Sequence, residues 1–319
     1  MMTSAGALRN AAVSTVFFSL VLGFSLSQPA WSRQPVLPPG QSIKDDLGFP
    51  FRLPGATPSR IVSMAPNITE ILFALGLGDR VVGVTRFCDY PPAALAIPKI
   101  GGLIDPNIEV IESLRPDLVI AFRGNPLRMV ERIRKLGLPV FVLDIGSGLD
   151  AIDPLIAKIG LVTRRGAEAR ALGSSLRARI AAVATAFEGV PSKPRVLVLL
   201  FSQGLWTAGG GSYVSDLVAR AGAVNIAAGV PQKWILWSPE KIIRGDPDAV
   251  FILTQTGADF AAARDRLTRE AHLGGLEAVK RGRVYRLDES SASRFGPRLA
   301  DVLEVMAHDL HPDKFGGRP

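Results

Sequence analysis

The sequence predicts an α/β protein made of two similar lobes, each built on a parallel sheet covered by helices. The first observation is a repeat: residues 107–120 and 237–252 each read as a short helix, a Pro-Asp turn and an apolar strand. The second is the alternation of short apolar strands with helical segments in both halves of the chain, which is typical of parallel sheets. The third is a long amphipathic segment between the halves, at about residues 165–188.

The two copies of the repeat keep the same chemistry at matching positions. Glu109 aligns with Glu240 at an offset of 131 residues, and each copy continues into a Pro-Asp pair and a buried strand. Asn107 and Ser238 are suitable N-caps, and Pro239 suits the first helical position. Each glutamate then lies in the first turn, where the helix dipole favours a negative charge. A duplicated unit of this kind predicts two related lobes.

The composition is that of a globular protein large enough for two ordinary domains. Of the 319 residues, 47% are hydrophobic and 21% are charged, which excludes a disordered chain. The formal net charge of +8 is spread along the sequence, so nucleic acid is not the expected partner. A basic cleft for an anionic or amphipathic ligand fits this charge better. Cys88 is the only cysteine, which excludes intramolecular disulfides and cysteine-bound clusters.

The first 32 residues have the features of a signal peptide. Arg9 precedes an apolar run at residues 11–26, and residues 30–32 resemble a cleavage signal. An uncleaved membrane anchor is the alternative, but the run is shorter than the about 20 apolar residues that a bilayer requires. The sequence therefore predicts export to the periplasm with cleavage near Ser32. Residues 33–58, rich in proline and glycine, are predicted to form a flexible tether.

Residues 59–150 are predicted to form the N-terminal lobe. Its strands are expected at residues 60–64, 81–85, 117–122 and 139–144, with further helices at 70–75 and 127–136. The alternation then stops, and residues 151–190 are predicted to be a helical connection. Its longer helix has a single apolar stripe. This helix either joins the lobes as a rod or packs as an ordinary helix.

Residues 191–319 are predicted to form the C-terminal lobe on the same plan. Strands are expected at residues 195–201, 249–253 and 283–287. One helix is expected to end at residue 221, and two more are expected at residues 260–269 and 297–310. Residues 234–237 are expected to form a loop.

The sequence gives little indication of a catalytic site or a metal site. All three histidines lie in the last fifth of the chain, whereas a zinc or manganese site needs several convergent ligands. The chain contains no Gly-x-Ser-x-Gly motif, and no histidine accompanies Cys88 in the first half. The glycines before Ser212 suit either an anion site or a flexible start of a helix. We therefore expect neither an enzyme nor a resident metal or cofactor.

Aromatic and arginine side chains stand out at the ends of the predicted strands. Phe87 follows one strand, Phe122 and Arg123 end another, Trp234 precedes the second repeat, and Arg294 follows the last strand. Ligands of open parallel sheets bind beyond the carboxyl ends of the strands. Aromatic residues there suit a large flat ligand with polar margins, although each could instead belong to the core.

Several motifs together resemble one family. They are Asp89-Tyr-Pro-Pro, Arg115-Pro-Asp-Leu, Gly137-Leu-Pro-Val, Trp237-Ser-Pro-Glu and Arg294-Phe-Gly-Pro-Arg, spread over about residues 59–310. They are similar to segments of the periplasmic vitamin B12, ferric-siderophore and haem substrate-binding proteins of ABC importers. The resemblance implies a helical-backbone binding protein, in which one long helix joins two Rossmann-like lobes and the ligand lies between them with little hinge motion. It also implies a monomer that is not an enzyme.

The resemblance gives the two repeated glutamates a role. Glu109 and Glu240 match surface glutamates, one per lobe, that dock onto arginines of the membrane permease, which works with an ATPase. Such charge pairs orient a complex more than they tighten it. The alternative is that each glutamate only complements its helix dipole.

The resemblance also assigns ligand contacts. Phe87, Phe122 and Trp234 match aromatic residues around the corrinoid of the vitamin B12-binding members, and Arg294 matches an arginine of a late binding loop. Leu103 stands in place of a tryptophan, so this wall of the pocket would be smaller and more polar. A cobalamin-like corrinoid is therefore the first prediction for the transported ligand.

A ferric siderophore or haem is the alternative ligand within the family. Arg86, Arg123 and Arg294 could meet carboxylates of such a ligand. A bound haem would require a tyrosine or histidine as axial ligand, and only Tyr90 lies near these residues. An exported enzyme on the same fold is a remote alternative, and the lack of acid–base pairs argues against it.

Overall fold

The computed structural model describes residues 38–190, 192–202, 204–269 and 273–315. The predicted signal peptide and the first residues of the predicted tether lie outside these ranges. Within them, no helix combines the length and the apolar character that crossing a bilayer requires. The described residues belong to one compact unit, which contains two main sheets.

The first main sheet, in the N-terminal lobe, is entirely parallel. Its strands are β3 (Ile61–Ser63), β4 (Val81–Val84), β5 (Leu118–Phe122) and β6 (Val140–Leu143), in the order β4-β3-β5-β6. The helices beside it are α1 (Pro66–Ala74), α2 (Ile108–Ser113) and α3 (Leu127–Lys135). Val119 and Ile120 of β5 enter two different cores, because successive residues of a strand face opposite sides of the sheet. The prediction of a covered parallel sheet is confirmed for this lobe.

A β-hairpin precedes this sheet, in the segment that the sequence predicted as a flexible tether. Its strands are β1 (Ser42–Lys44) and β2 (Pro50–Arg52), paired antiparallel. Phe51 packs edge-to-face on Phe141 with ring centroids 5.1 Å apart. The Asp45 carboxylate is fully buried, accepts backbone hydrogen bonds from the hairpin and from β6, and pairs with Arg134. The tether prediction is wrong for this hairpin, because long-range bonds fix it to the lobe.

The second main sheet is mixed rather than parallel. Its strands are β7 (Arg195–Ser202), β8 (Gly204–Ala208), β9 (Val224–Asn225), β10 (Trp234–Trp237), β11 (Ala249–Thr254) and β12 (Val284–Asp288), in the order β10-β8-β7-β11-β12, with β9 beside β7. Strand β8 is antiparallel to both β7 and β10. The prediction of a wholly parallel sheet, with a loop at residues 234–237, is therefore wrong here. Gly204 has φ of 126°, which lets the chain reverse directly after β7 and return along its edge.

The helices of the connection and of the C-terminal lobe complete the fold. They are α4 (Ile152–Val162), α5 (Gly166–Thr185), α6 (Tyr213–Arg220), α7 (Pro239–Gly245), α8 (Gly257–Arg269), α9 (Glu277–Lys280), α10 (Glu289–Ala292), α11 (Leu299–Leu310) and α12 (Pro312–Phe315). Short 3-10 helices lie at Gly78–Arg80, Pro92–Ala96, Leu149–Ala151 and Leu273–Gly275.

Helix α5 is the long helix that the sequence predicted between the halves. Its 20 residues span about 30 Å, and its apolar stripe buries Leu176, Ile180 and Val183. These residues belong to one hydrophobic cluster, here called the shared core, that also includes Phe141 of the first sheet and Phe251 of the second. The helix packs on α4 of the connection and on α6 and α11 of the C-terminal lobe, and so contributes to this cluster.

Candidate functional site

Loops at the carboxyl edge of the first sheet are joined by the buried side chain of Asn125. Its amide donates hydrogen bonds to the carbonyl oxygens of Leu103 (2.8 Å) and Met64 (3.3 Å), and its oxygen accepts from the Phe122 N–H (3.0 Å). Leu103 and Phe122, both predicted ligand contacts, thereby lie at the same edge, half-buried against the shared core. The sequence reasoning missed Asn125. An asparagine before Pro126, directly after a strand, is the signal that could have indicated it.

Phe87 projects from a loop whose base is fixed. The neighbouring Cys88 is buried, and its sulfur lies 3.2 Å from Thr69 Oγ1 and 3.1 Å from Thr85 Oγ1. Phe87 itself is 45% exposed, with the Arg86 guanidinium 5.1 Å from its ring centroid. An exposed aromatic ring on an anchored loop suits a ligand contact, and this role of Phe87 stays a prediction.

Further apolar side chains are exposed on the same loops. Ile104 is 71% exposed beside Leu103, and Leu127 is 49% exposed at the start of α3. Together with Phe87 they give this edge of the sheet an apolar surface. The prediction from the sequence concerned aromatic residues at strand ends and therefore did not include the aliphatic Ile104 and Leu127.

Two arginines at this edge are each bonded to an aspartate. The Arg86–Asp105 distance is 2.9 Å and the Arg123–Asp144 distance is 2.8 Å. A hydrogen bond from a backbone N–H in the following turn, and then the bond from Arg123, lower the pKa of Asp144. The charge of Lys233, in the C-terminal lobe, lowers this pKa further.

Trp234 lies on an edge strand, not in the predicted loop. It is half-buried and packs against the shared core. Its partner across the strands is Ala208, whereas Trp237 pairs with Leu205, three residues nearer the carboxyl end of β7. Trp234 is therefore set back from the end of the sheet at which we expected the ligand, and its ligand contact stays a prediction.

Nearer the carboxyl end of β7, three apolar side chains form a row across strands. Leu200, Trp206 and Leu236 pair directly on β7, β8 and β10, so their side chains share one face of the sheet. Leu200 and Trp206 are half-buried, and Leu236 is 56% exposed. The sequence reasoning missed this apolar wall because it did not predict β8.

Arg294 joins the two lobes. It forms an ion pair with Asp89, which lowers the pKa of that carboxylate, and it donates a hydrogen bond to the Phe87 carbonyl oxygen (3.0 Å). Next to it, Arg298 donates to both carboxylate oxygens of Glu70 (2.6 and 3.1 Å), whose side chain is 3% exposed. These bonds hold the Phe87 loop of the N-terminal lobe against the C-terminal lobe. The ligand contact of Arg294 stays a prediction, and its observed partner is Asp89.

The two repeated glutamates are exposed at matching positions. Glu109 and Glu240 lie in the first turns of α2 and α7. Asn107 caps α2 as predicted, by accepting a hydrogen bond from the Val110 N–H (3.1 Å). Ser238 occupies the N-cap position of α7, but its side chain bonds to Glu240 and thereby lowers the pKa of that carboxylate. The docking role of the glutamates stays a prediction.

The glycine-rich segment before α6 is occupied by backbone contacts. The Gly209 and Gly210 amides donate to the carbonyl oxygens of Lys233 (3.1 Å) and Val230 (2.7 Å). A Cβ on Gly210 would lie 2.0 Å from the carbonyl oxygen of Ala228, so only glycine permits this approach. These amides are bonded within the chain rather than available to an anion. Among the described residues, no group of three or more histidine, cysteine or acidic side chains could hold a metal ion.

Comparison with known proteins relates most of the chain to one group. The sequence signature of periplasmic binding proteins matches residues 61–291. The vitamin B12-binding protein of Pectobacterium carotovorum is 31% identical over 257 residues, which cover 80% of this chain and 89% of that protein. YvrC, an uncharacterized ABC transporter substrate-binding lipoprotein of Bacillus subtilis, is 28% identical over 264 residues, covering 81% of this chain and 82% of that protein.

A solved structure supports the same relation. The periplasmic haem-binding protein RhuT of Roseiflexus, in its apo form, superposes with a TM-score of 0.72 at 30% identity. The superposition covers 79% of this chain and 98% of that protein. The α/β fold class predicted from the sequence is confirmed.

Proposed function

The chain belongs to the periplasmic binding protein family, and from this premise we propose that it captures a cobalamin-like corrinoid and delivers it to an inner-membrane ABC permease. Membership confirms the resemblance inferred from the motifs. The proposal includes export by a cleaved signal peptide, a periplasmic location, and a monomer without catalytic activity. It also includes docking of Glu109 and Glu240 onto the permease, which works with its ATPase.

The choice of ligand is carried by one observation, the pairing of the site arginines with aspartates. Arg86, Arg123 and Arg294 each bond to an aspartate. Carboxylates of a haem or a siderophore would compete with these aspartates for the guanidinium groups. Carboxamide groups, such as those around a corrin ring, can hydrogen-bond to both members of an Arg–Asp pair. A neutral ligand with an amide rim therefore suits this site better than an anionic one.

The apolar surfaces on the two sheets support a large ligand. Phe87 and Phe122 lie at the edge of the first sheet, and Trp206 and Leu236 lie on the wall of the second. A broad ring system between such surfaces would bury apolar area on both of its faces, which is favourable. Polar groups at the rim would then fix its orientation.

Haem is the second candidate, favoured by the similarity to RhuT and by the position of Tyr90. Tyr90 is 41% exposed, three residues after Phe87, and could supply the axial oxygen that a haem iron requires. Its ring, however, lies 4.0 Å from the Arg298 guanidinium, which already occupies one face.

The ligand proposal is tested by titrating the protein without its first 32 residues against cyanocobalamin, haemin and a ferric siderophore. Heat and visible absorbance are followed in parallel. We expect micromolar or tighter binding of cyanocobalamin and at least about tenfold weaker binding of haemin. Tyr90→Phe is the matched variant, because it removes only the oxygen that would bind the iron. Tight haemin binding that Tyr90→Phe abolishes, without cyanocobalamin binding, would replace the corrinoid by haem.

A further inference from the structure

Arg60 ties the end of α2 to the start of β3. Its Nε donates to the carbonyl oxygen of Leu114, the C-cap residue directly after α2 (2.9 Å). Its backbone N–H donates to the Asp117 carboxylate (2.9 Å), and the Asp117 N–H donates to the Arg60 carbonyl oxygen (3.0 Å). Between them, Arg115 has φ of 44°, in the left-handed region, where the chain turns from the helix towards β5. One arginine and one aspartate thus close this turn.

Arg195 makes the same bonds in the C-terminal lobe. Its Nε and Nη2 donate to the carbonyl oxygen of Gly245 at the end of α7 (3.1 and 2.6 Å). Its backbone N–H donates to the Asp248 carboxylate (2.8 Å), and the Asp248 N–H donates to the Arg195 carbonyl oxygen (2.7 Å). Asp246, with φ of 38°, occupies the left-handed position.

The two arrangements are copies of each other. The offset between their matching residues is 131, the same offset that relates the two exposed glutamates; the matching pairs are Leu114 and Gly245, Arg115 and Asp246, and Asp117 and Asp248. Leu114 and Gly245, which accept the hydrogen bonds, can differ in side chain because each accepts through its backbone carbonyl oxygen. The two arginines lie outside the repeat and do not share its offset: Arg60 directly precedes β3, and Arg195 is the first residue of β7.

Helices α2 and α7 depend on such bonds for their direction. They have 6 and 7 residues, which is too short for a helix to be stable on its own. Each is packed on one side by a buried isoleucine, Ile111 or Ile242. At the carboxyl end of a helix the last carbonyl groups lack hydrogen-bond partners, and a positive charge is favourable. The arginine supplies a hydrogen bond and a positive charge.

We infer that Arg60 and Arg195 are positioning residues for docking, which fix the direction in which α2 and α7 present Glu109 and Glu240. The inference rests on the proposed docking role of the two glutamates. A partner that contacts both lobes requires the two carboxylates at a set separation and orientation. Release of either helix end therefore weakens the complex with the permease and leaves the ligand site unchanged.

The first measurement is hydrogen–deuterium exchange on the free protein. Arg60→Ala should accelerate exchange roughly tenfold in the peptide covering α2, and Arg195→Ala should do so only in α7. Arg179→Ala is the matched control, since it removes an arginine that bonds to Asp301 and Glu304 between α5 and α11. It should change neither peptide. A direct contact of Arg60 with the permease would not affect the free protein, so this readout isolates positioning.

The second measurement uses the permease–ATPase complex in proteoliposomes. ATPase stimulation is titrated with the binding protein loaded with cyanocobalamin or haemin, whichever it binds. For Arg60→Ala and Arg195→Ala, the half-saturating concentration should rise roughly fivefold, as expected when one carbonyl group at a helix end loses its hydrogen-bond partner. The maximal rate and the ligand Kd should stay unchanged. Arg179→Ala should leave the half-saturating concentration unchanged even if it lowers Tm.

The Glu109→Ala/Glu240→Ala double variant separates this inference from the docking proposal. If it raises the half-saturating concentration and the arginine variants do not, docking stands and the positioning role is overturned. If the arginine variants raise it and the glutamate variant does not, the docking role of the glutamates fails, and the inference that rests on that role fails with it. Unchanged exchange in both α2 and α7 overturns the inference directly.

Discussion

Arg123 and Asp144 form a pair at the rim of the proposed site, where a change of charge acts on the ligand more than on the fold. Their side chains are 56% and 46% exposed. Water screens a pair of this kind, so it contributes at most about 1 kcal/mol to the free energy of unfolding. Its aspartate can therefore be replaced without risk to the lobe, and the arginine then becomes available to a ligand.

Asp144→Asn should raise the affinity for haemin about threefold, because the Arg123 guanidinium is no longer shared with a carboxylate. The affinity for cyanocobalamin should change by less than about twofold. Absorbance titrations at low and high salt measure both values, and the gain for haemin should shrink at high salt. Asp265→Asn removes a more exposed Arg–Asp contact from α8, remote from the proposed site in sequence, and serves as the control. An unchanged haemin affinity would contradict the proposed role of the paired rim.

At this scale the sequence predicts exposure better than it predicts bonding. Phe87, Glu109 and Glu240 are exposed, as their positions after a strand and in first helical turns suggested. Asn125 could not be assigned, because its three partners come from separate loops and strand ends. The partner of Arg294 was equally hidden, since Asp89 lies 205 positions earlier in the chain.

Strands β8 and β10 give the second sheet a different site wall from that of the first. They place Trp206 and Trp237 on opposite faces, because Leu205 pairs with Trp237 and the next residue faces the other way. Trp206 belongs to the apolar row with Leu236, whereas Trp237 packs against the second core of this lobe. The two tryptophans therefore allow binding and stability to be separated.

Trp206→Ala should weaken cyanocobalamin binding about tenfold and change Tm little, because it removes apolar surface from the proposed wall. Trp237→Ala is the matched control. It should lower the free energy of unfolding by about 2 kcal/mol through lost core packing, with the ligand Kd unchanged. Calorimetric titration and urea unfolding measure the two effects. Equal binding losses in both variants would show that the wall has no special role.

The elements that the sequence predicts correctly are those with local signals. The repeated helices and buried strands have capping residues, a Pro-Asp turn and continuous apolar runs. The sequence of β8 predicts only the approach to a helix, because three glycines follow it, whereas the pairing of β8 with β7 is a tertiary contact. The sequence of the β1–β2 hairpin predicts a tether for a similar reason: its proline and glycine content is a local signal, whereas the ion pair between Asp45 and Arg134 joins distant parts of the chain.

The molecule as a whole is held in one arrangement by charges as well as by the shared core. Arg294 and Arg298 of the C-terminal lobe bond to Asp89 and Glu70 of the N-terminal lobe. The hydrogen bond from Arg294 lowers the pKa of Asp89 in the folded protein. A carboxylate with a depressed folded pKa contributes stability above its unfolded pKa and loses it as the pH falls through the folded value.

Asp89→Asn should therefore lower the free energy of unfolding at pH 7 by at most about 1 kcal/mol, the range of a partly exposed pair. The difference in the free energy of unfolding between the variant and the unsubstituted protein should stay constant down to about pH 5. It should shrink below about pH 4, where the Asp89 carboxyl group of the unfolded protein becomes protonated. Urea unfolding across this pH range measures it. Asp79→Asn, at an exposed aspartate, should show no such difference. A difference that persists in acid would mean that the charge of Asp89 is not its cause.

The shared core runs from the first sheet through α4 and α5 into the second sheet. The repeat that carries the exposed Glu109 and Glu240 still shows the similarity of the two halves. The buried residues of the two halves, in contrast, pack in one core with α4 and α5. A chimera that took one half from a relative would have to match, side chain by side chain, the helix faces supplied by the other parent. A change of side-chain volume deep in one lobe therefore constrains which changes the core of the other lobe can accept.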